Sequence, residues 1–431
     1  MIYVCEPQCK QGSHESFNSG FLHGLYEVYN DVCFYAEKTH IQYIKSYLNL
    51  RNSQCVNNIV YREITFPNNI YSFRQLIFYK KIFKSILNQI SENDKMLLLS
   101  ANPMILFLLC SLSKKDKYKN IVFNIVLHGG IEEELAPYIL PKCETINNNR
   151  NIKKSGVLNK LSRISEKSVI YLFKYSVKTI WQFFRHSIIK PYITLYKALY
   201  NHRSFFSESR DLSSFNFIVL SKHILDNLHI DNKTFKMKLC YLPCIFPPKT
   251  TDTVNDYPKF AIFGYGVDNG LFEDFLDQLD KLNPSKRYEI RLVSMRGYSG
   301  IGKYRNITFN NNGFIPRQEY EKMAEDIDYF INFYDPSQYR LSCSGSIIES
   351  IMYRKPVIYI GNECYDSFNS LAGPIGIMAG STQNFASIVF NIIENWPEEL
   401  QRINEFKRNI EDVIQIIDIS TQLKNDKSII A

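Results

Sequence analysis

Short runs of apolar, β-branched and aromatic residues alternate with stretches of helical periodicity along the whole chain. That alternation is the pattern of a parallel sheet covered by helices. In the first half the strand-like runs fall at 2–5, 32–35, 59–64, 96–99, 121–127 and 215–220, with helical stretches such as 16–29 and 72–90 between them. A short run at 239–242 leads into Cys244-Ile245-Phe246-Pro247-Pro248 and a polar continuation, the clearest linker in the sequence. A second series follows, with strands at 260–263, 288–293, 307–309, 329–333 and 356–361. Its helices are expected at 270–282, from Pro316 onward, at 345–353 and at 397–417. No repeat of fixed period is present.

The chain has 431 residues, 45% of them hydrophobic and 22% charged, which excludes a disordered or fibrous polypeptide. Ten cysteines, none in a zinc-knuckle arrangement, point to reduced thiols rather than a disulfide scaffold. The N-terminus reads as a first strand and not as a secretory signal, so the chain is expected in the cytoplasm. The net charge of +8 is concentrated: residues 150–203 carry twelve Lys and Arg against the single Glu166. Within that segment Lys167, Lys174, Lys178 and Arg185 fall on a helical stripe about 40° wide, flanked by Trp181 and other large apolar residues. Such a stripe suits an anionic membrane surface; a pair of packed helices with a solvated basic edge gives the same pattern. Nucleic acid is not the expected partner, because no recognition motif accompanies the charge.

The expected fold is therefore α/β, with two Rossmann-like domains facing a cleft and a basic helical insertion in the first. Residues 1–245 form the first domain, interrupted by the amphipathic insertion at 150–203, and residues 246–400 the second. Residues 401–431 are expected to form a C-terminal helix packing back on the first domain, and a tail. Paired domains of this kind hold a ligand at the carboxyl ends of their strands.

The most informative stretch runs from Asp328 to Ile358. A strand leads to a polar loop, and Ser344-Gly345-Ser346 then opens a helix whose free N–H groups and dipole favour a phosphate. Arg340 offers a fork of donors to a diphosphate, and Glu349, one turn into the helix, can accept from a pair of ribose hydroxyls. A plain N-cap is the alternative reading of the Ser-Gly pair. The order of strand, Tyr339, Ser344-Gly345, Glu349 and the following Lys355-Pro356-Val357-Ile358 strand resembles the nucleotide-sugar domain of GT-B glycosyltransferases, in particular the retaining family 4. The resemblance extends through Asn312-Gly313-Phe314-Ile315-Pro316 and the strand ending in Gly264-Tyr265-Gly266, covering about residues 258–362. The first domain is similar in its order of elements.

The resemblance implies a glycosyltransferase that moves a sugar from a nucleotide-diphosphate donor, a UDP- or GDP-sugar, to a lipid-linked glycan in capsule or O-antigen assembly. It would work peripherally on the inner face of the cytoplasmic membrane. It also implies that Ser344, Gly345 and Ser346 hold donor phosphate and Glu349 holds ribose, with Arg296, Arg340, Gly264 and Gly266 on the donor side. His128, at the end of a strand, would stand beside the donor sugar, and the Gly12-Ser13-His14-Glu15 loop would approach the diphosphate and acceptor. His128, Glu15 and His14 are the candidate catalytic groups; the Glu132-Glu133-Glu134 run reads as a solvated helix start. No Asp-x-Asp stands in a metal-binding loop, so neither metal nor resident cofactor is expected. The chain departs from the family at Leu341, where a donor-facing Glu is usual, and in lacking an Arg and a Lys-Gly after residue 263. Two rival readings follow: a non-catalytic nucleotide- or glycan-binding relative, and a soluble sugar-nucleotide epimerase.

Overall fold

The computed structural model describes residues 1–65, 73–127, 212–228, 236–249, 254–263, 269–293, 303–304, 306–310 and 315–431. The basic segment with Lys167, Lys174, Lys178, Trp181 and Arg185, and the candidate residues His128, Gly264, Gly266 and Arg296, lie outside the described residues.

Two parallel sheets organise the chain. The first has the order β3-β2-β1-β4-β5-β6-β7, built from β1 (Ile2–Cys5), β2 (Val32–Ala36), β3 (Val60–Glu63), β4 (Lys95–Leu98), β5 (Phe123–Leu127), β6 (Phe215–Val219) and β7 (Lys236–Leu239). The second has the order β10-β9-β8-β11-β12-β13, built from β8 (Lys259–Phe263), β9 (Glu289–Val293), β10 (Ile307–Asn310), β11 (Tyr329–Asn332), β12 (Val357–Ile360) and β13 (Gly376–Ala379). Each sheet reverses direction once, between β1 and β4 and between β8 and β11. A doubly wound sheet opens its ligand crevice at such a reversal. Central strands such as β1, β2 and β5 are buried at every residue, as strands covered by helices on both faces must be.

Helices α1 (Glu15–Tyr29), α2 (Lys38–Leu50), α3 (Phe73–Leu87), α4 (Pro103–Ser113) and α5 (Lys222–Asn227) accompany the first sheet. The Asn102-Pro103 pair starts α4: the Asn102 side chain accepts from the Ile105 N–H at 3.0 Å, and proline occupies a first-turn position where no N–H is needed. Helices α6 (Asn269–Leu282), α7 (Arg317–Glu325), α8 (Gly345–Met352), α9 (Glu363–Ala372), α10 (Thr382–Glu394) and α11 (Trp396–Ile417) belong to the second. A last helix, α12 (Ile419–Asn425), returns to the first.

The return is sharp. Ile410, Val413 and Ile417 of α11 are buried in the second domain, whereas Ile419, Leu423, Ile429 and Ile430 sit in the core of the first. Of the stretch 401–431, residues up to 417 thus lie with the second sheet, and only those from 419 on lie with the first. The tail is hooked there by two buried asparagines: Asn216 donates to the Ile429 carbonyl at 2.9 Å and Asn124 to the Ala431 carbonyl at 3.1 Å. Two glycines on one face of α1 make the crossing possible. A Cβ on Gly20 would lie 2.7 Å from the Pro243 backbone of the linker, and one on Gly24 would lie 2.5 Å from Ile419. The strand expected at 239–242 begins earlier, at Lys236, and ends as β7 at Leu239, although the Cys240 and Leu242 N–H groups still donate to the Val219 and Leu220 carbonyls at 2.9 and 3.0 Å; β7 is an edge strand in which Lys236 and Lys238 alternate with apolar residues, as edges commonly do.

Candidate active site

The loop after β1 turns at the reversal point of the first sheet. Glu6, fully buried, accepts from the Gln8 and Cys9 N–H groups at 2.8 and 3.0 Å and from the Ser100 hydroxyl. The Asn18 amide lies 3.5 Å from Glu6 and 2.8 Å from His40 Nε2, and His40 Nδ1 lies 2.7 Å from the Gln11 carbonyl. The only consistent tautomer donates from Nδ1 and accepts at Nε2. Burial holds His40 below the ordinary imidazole value, so the ring is neutral as this pattern requires. The network fixes a loop in which Gln11 and His14 adopt left-handed backbone, with φ of 50° and 54°. Non-glycine residues in that region are strained and cluster at functional sites. His14 then occupies the N-cap position of α1 without a side-chain cap bond, and Glu15 is the first residue of the helix.

The corresponding loop of the second sheet runs from β11 to α8. Tyr334 and Ser344 share a hydrogen bond of 2.9 Å between hydroxyls, and Ser346 donates to the Phe263 carbonyl at 3.1 Å. Ser344 does not cap the helix with its side chain, and a Cβ added at Gly345 would meet nothing within 4 Å. The N-terminus of α8 therefore opens onto free space with its dipole directed there. His14, Phe17, Leu220, Pro243, Tyr339, Ser342, Gly345, Ile348 and Glu349 line the space, a cavity of about 250 Å³ between the two sheets.

Glu349 faces this cavity but is not loose. One carboxylate oxygen accepts from Arg317 at 3.2 Å and the other from the Tyr320 hydroxyl. Arg317 also reaches Glu321 at 3.0 Å and donates to the Tyr353 hydroxyl at 2.8 Å, and the rings of Tyr47, Tyr320 and Tyr353 surround it. Burial pushes Glu15 above the ordinary carboxylate range; Arg317 opposes the shift, and Glu321 and Glu349 add to it. Glu15 thus stands within electrostatic reach of Glu349 across the cleft.

Arg340, between the lining residues Tyr339 and Ser342, is not itself part of the lining. Its guanidinium donates to Asn227 at 3.2 Å and lies 3.7 Å from Glu363, on the α5 side of the domain interface. α5 holds this loop from the first domain: His223 Nε2 donates to the carbonyls of Tyr339 and Ser342 at 2.8 and 3.1 Å, Asn227 donates to the Arg340 carbonyl at 3.1 Å, and Ser221 meets Ser367 at 2.8 Å. Leu341, between these contacts, is 1% exposed and buried in the core of the first domain. The structure thus gathers His14, Gly345 and Glu349 around one cavity, with Glu15, Ser344 and Ser346 beside it, and directs Arg340 to α5.

No protein-family model matches the sequence, and no curated protein matches it. Solved structures do match, over nearly its whole length. A glycosyltransferase from Rickettsia africae superposes with a TM-score of 0.55 at 12% identity, covering 99% of this chain and 98% of that one. The lipopolysaccharide outer core galactosyltransferase WaaB, in its apo form, gives 0.55 at 11%, with 99% of each chain covered. The Anabaena protein HepE in complex with UDP-glucose gives 0.53 at 11%, again with 99% of each. The fold is GT-B.

Within this GT-B frame, three site features escaped the sequence reading. Arg317 stood in a recognised stretch but gave no sign of pairing with Glu349, because the two are 32 positions apart and meet only through the packing of α7 on α8. Tyr47 on α2 of the other domain, and Arg51 immediately after that helix, complete the surroundings of Arg317. The Glu6–Asn18–His40 network was equally hidden: single polar residues within apolar stretches read as incidental until the fold buries them together. Among the described residues no helix is long and apolar enough to cross a membrane, and no cluster of His, Cys, Asp or Glu is placed to hold a metal ion.

Proposed function

We propose that this chain is a glycosyltransferase that moves a sugar from a UDP- or GDP-sugar to a lipid-linked glycan in the assembly of a surface polysaccharide such as capsule or O-antigen. One observation carries the reading: the uncrowded N-terminus of α8 and the Glu349 carboxylate line a single cavity where the reversal points of two parallel sheets face each other. HepE, which superposes over its full length, was solved with UDP-glucose, and WaaB acts on the lipopolysaccharide outer core. Both likenesses favour a nucleotide-sugar donor and a glycan acceptor.

In this reading the amides of Ser344, Gly345 and Ser346 take the negative charge that grows on the leaving diphosphate, the largest contribution a protein makes to such a transfer. Arg296, Gly264 and Gly266 are assigned to the same side, Glu349 to the ribose, and His128 to the donor sugar. His14 and Glu15 are assigned to the acceptor side. Transfer with retention needs no strong base there, and an inverting transfer would draw on Glu15, whose raised pKa suits proton uptake. The donor is a substrate, and the reading includes neither resident cofactor nor metal. The basic segment 150–203 is assigned to docking on an anionic membrane.

The test is nucleotide release by purified protein from UDP-, GDP-, dTDP- and CMP-sugars, with and without lipid extract. Release of one nucleotide, stimulated by lipid and lost in Glu349→Ala, is expected. Binding without release under every acceptor supports instead the non-catalytic relative, which the replacement of the usual donor-facing Glu by the buried Leu341 favours. No binding at all sinks the nucleotide-sugar reading.

A further inference from the structure

The guanidinium of Arg317 is spent inside the protein: Nε on Glu321, one Nη on Glu349 and the other on the Tyr353 hydroxyl. Three tyrosine rings stand around it at 5.0 to 5.9 Å. It is therefore unsuited to contacting a ligand and well suited to holding Glu349. With Arg317 on one oxygen and Tyr320 on the other, that carboxylate is fixed in orientation at the cavity wall, and each oxygen keeps acceptor capacity beyond the bond it makes.

The chain of contacts continues into the first domain. Glu321, one turn after Arg317, is gripped by Arg51 through both carboxylate oxygens, at 2.6 and 3.3 Å. Arg51 follows α2; its side chain is only 4% exposed, lies over the Tyr47 ring at 5.1 Å and donates to the Tyr47 hydroxyl. The sequence of pairs is then Arg51 to Glu321, Glu321 to Arg317, Arg317 to Glu349, running from one domain to the cavity wall of the other. The first link exists only while the two domains are in contact.

We propose that Arg317 is a positioning residue that presents Glu349 to the hydroxyl pair of a nucleotide ribose, and that Arg51, across the cleft, makes this presentation depend on domain closure. The proposal rests on the glycosyltransferase reading and adds to it a coupling between nucleotide affinity and the domain interface. Opening the cleft frees Glu321 from Arg51, lets Arg317 redistribute toward Glu321 and releases Glu349. Coupling between sites is reciprocal, so nucleotide binding in turn favours the closed arrangement.

The test is titration calorimetry of UDP and GDP with wild type, Arg51→Gln, Arg51→Lys, Glu349→Gln and the double variant, each checked for folding by circular dichroism. Arg51→Gln is expected to weaken the better nucleotide by about tenfold, within the usual range of such couplings, although Arg51 lies outside the cavity lining. Arg51→Lys should recover part of the loss. In the Glu349→Gln background Arg51→Gln should have little further effect, since both act through one carboxylate. Arg317→Lys, which keeps the charge and loses the fork, should raise the donor KM more than it lowers kcat. Wild-type binding with Arg51→Gln unchanged, or with effects of Arg51→Gln and Glu349→Gln that add, overturns this inference and leaves the glycosyltransferase reading standing. Failure of the wild type to bind either nucleotide overturns both.

Discussion

Replacing Leu341 by Ala should loosen the contact between the domains while leaving each domain folded. Leu341 belongs to the loop before α8 in the second domain, yet it is 1% exposed and packs in the core of the first. Truncating a fully buried leucine costs about 2–5 kcal/mol through lost transfer energy and the cavity left behind. Here the lost contacts bridge two domains, so the loss falls chiefly on the closed arrangement. At about 1.4 kcal/mol per factor of ten, the ratio of closed to open molecules should drop between roughly 30-fold and a few thousand-fold. The lower part of that range is expected, because the His223 bonds to Tyr339 and Ser342 and the Arg51–Glu321 pair remain in place. Small-angle scattering should show a larger radius of gyration than wild type, and calorimetry should resolve two transitions or a broadened one. Leu341→Glu, which buries a carboxylate among apolar side chains, should open the molecule further. Identical scattering curves and melting profiles for wild type and Leu341→Ala would refute the argument that this residue bridges the domains.

Two further outcomes follow from single residues. Gly345→Ala adds a methyl group into open space, so stability should stay level or rise by up to about 1 kcal/mol, while nucleotide affinity in a titration falls because the methyl takes up the position proposed for the phosphate; unchanged affinity would place the phosphate elsewhere. Burial holds His23, His40 and His223 below the ordinary imidazole value, so the unfolded chain takes up protons before the folded one does. The melting temperature should therefore fall as pH drops below about 6.5, and that acid loss should shrink in His223→Gln; a melting temperature that climbs through this window would contradict the assignment.

Most of the architecture was legible because it rests on short-range patterns. Runs such as 2–5 and 329–333 are buried on both faces and need no partner to be recognised as strands. β13 was missed: the stretch from Leu371 to Ser381 holds three glycines and a proline, which interrupt any strand-like run, and no element was expected there. Gly376 is nevertheless a strand residue, with the Val357 carbonyl 1.9 Å from where a Cβ would be, so close packing rather than turn chemistry selects it. The site divides the same way. The start of α8 and Glu349 were readable because a helix N-terminus and a residue one turn later lie in one local frame. Arg340 has the right charge, but its direction is set by Asn227 and Glu363, 113 and 23 positions away, which no local pattern records. Leu341 read as a departure from a donor-facing Glu, and the fold shows what the leucine does: it is buried in the core of the first domain.

The glycine face of α1 has a mechanical consequence. The chain passes between domains twice among the described residues, at the Pro243–Cys244 linker and at the α11–α12 junction, and both passages press on the same helix, at Gly20 and Gly24. With both connections anchored side by side, relative movement of the domains reduces to swinging about that point. His14 and Glu15 stand at the end of the helix, five to ten residues away, a lever arm of about 8–15 Å at 1.5 Å per residue. A swing of about 10° carries them some 1–3 Å, enough to make or break a hydrogen bond. The pivot and the cavity-lining end are thus parts of one rigid rod.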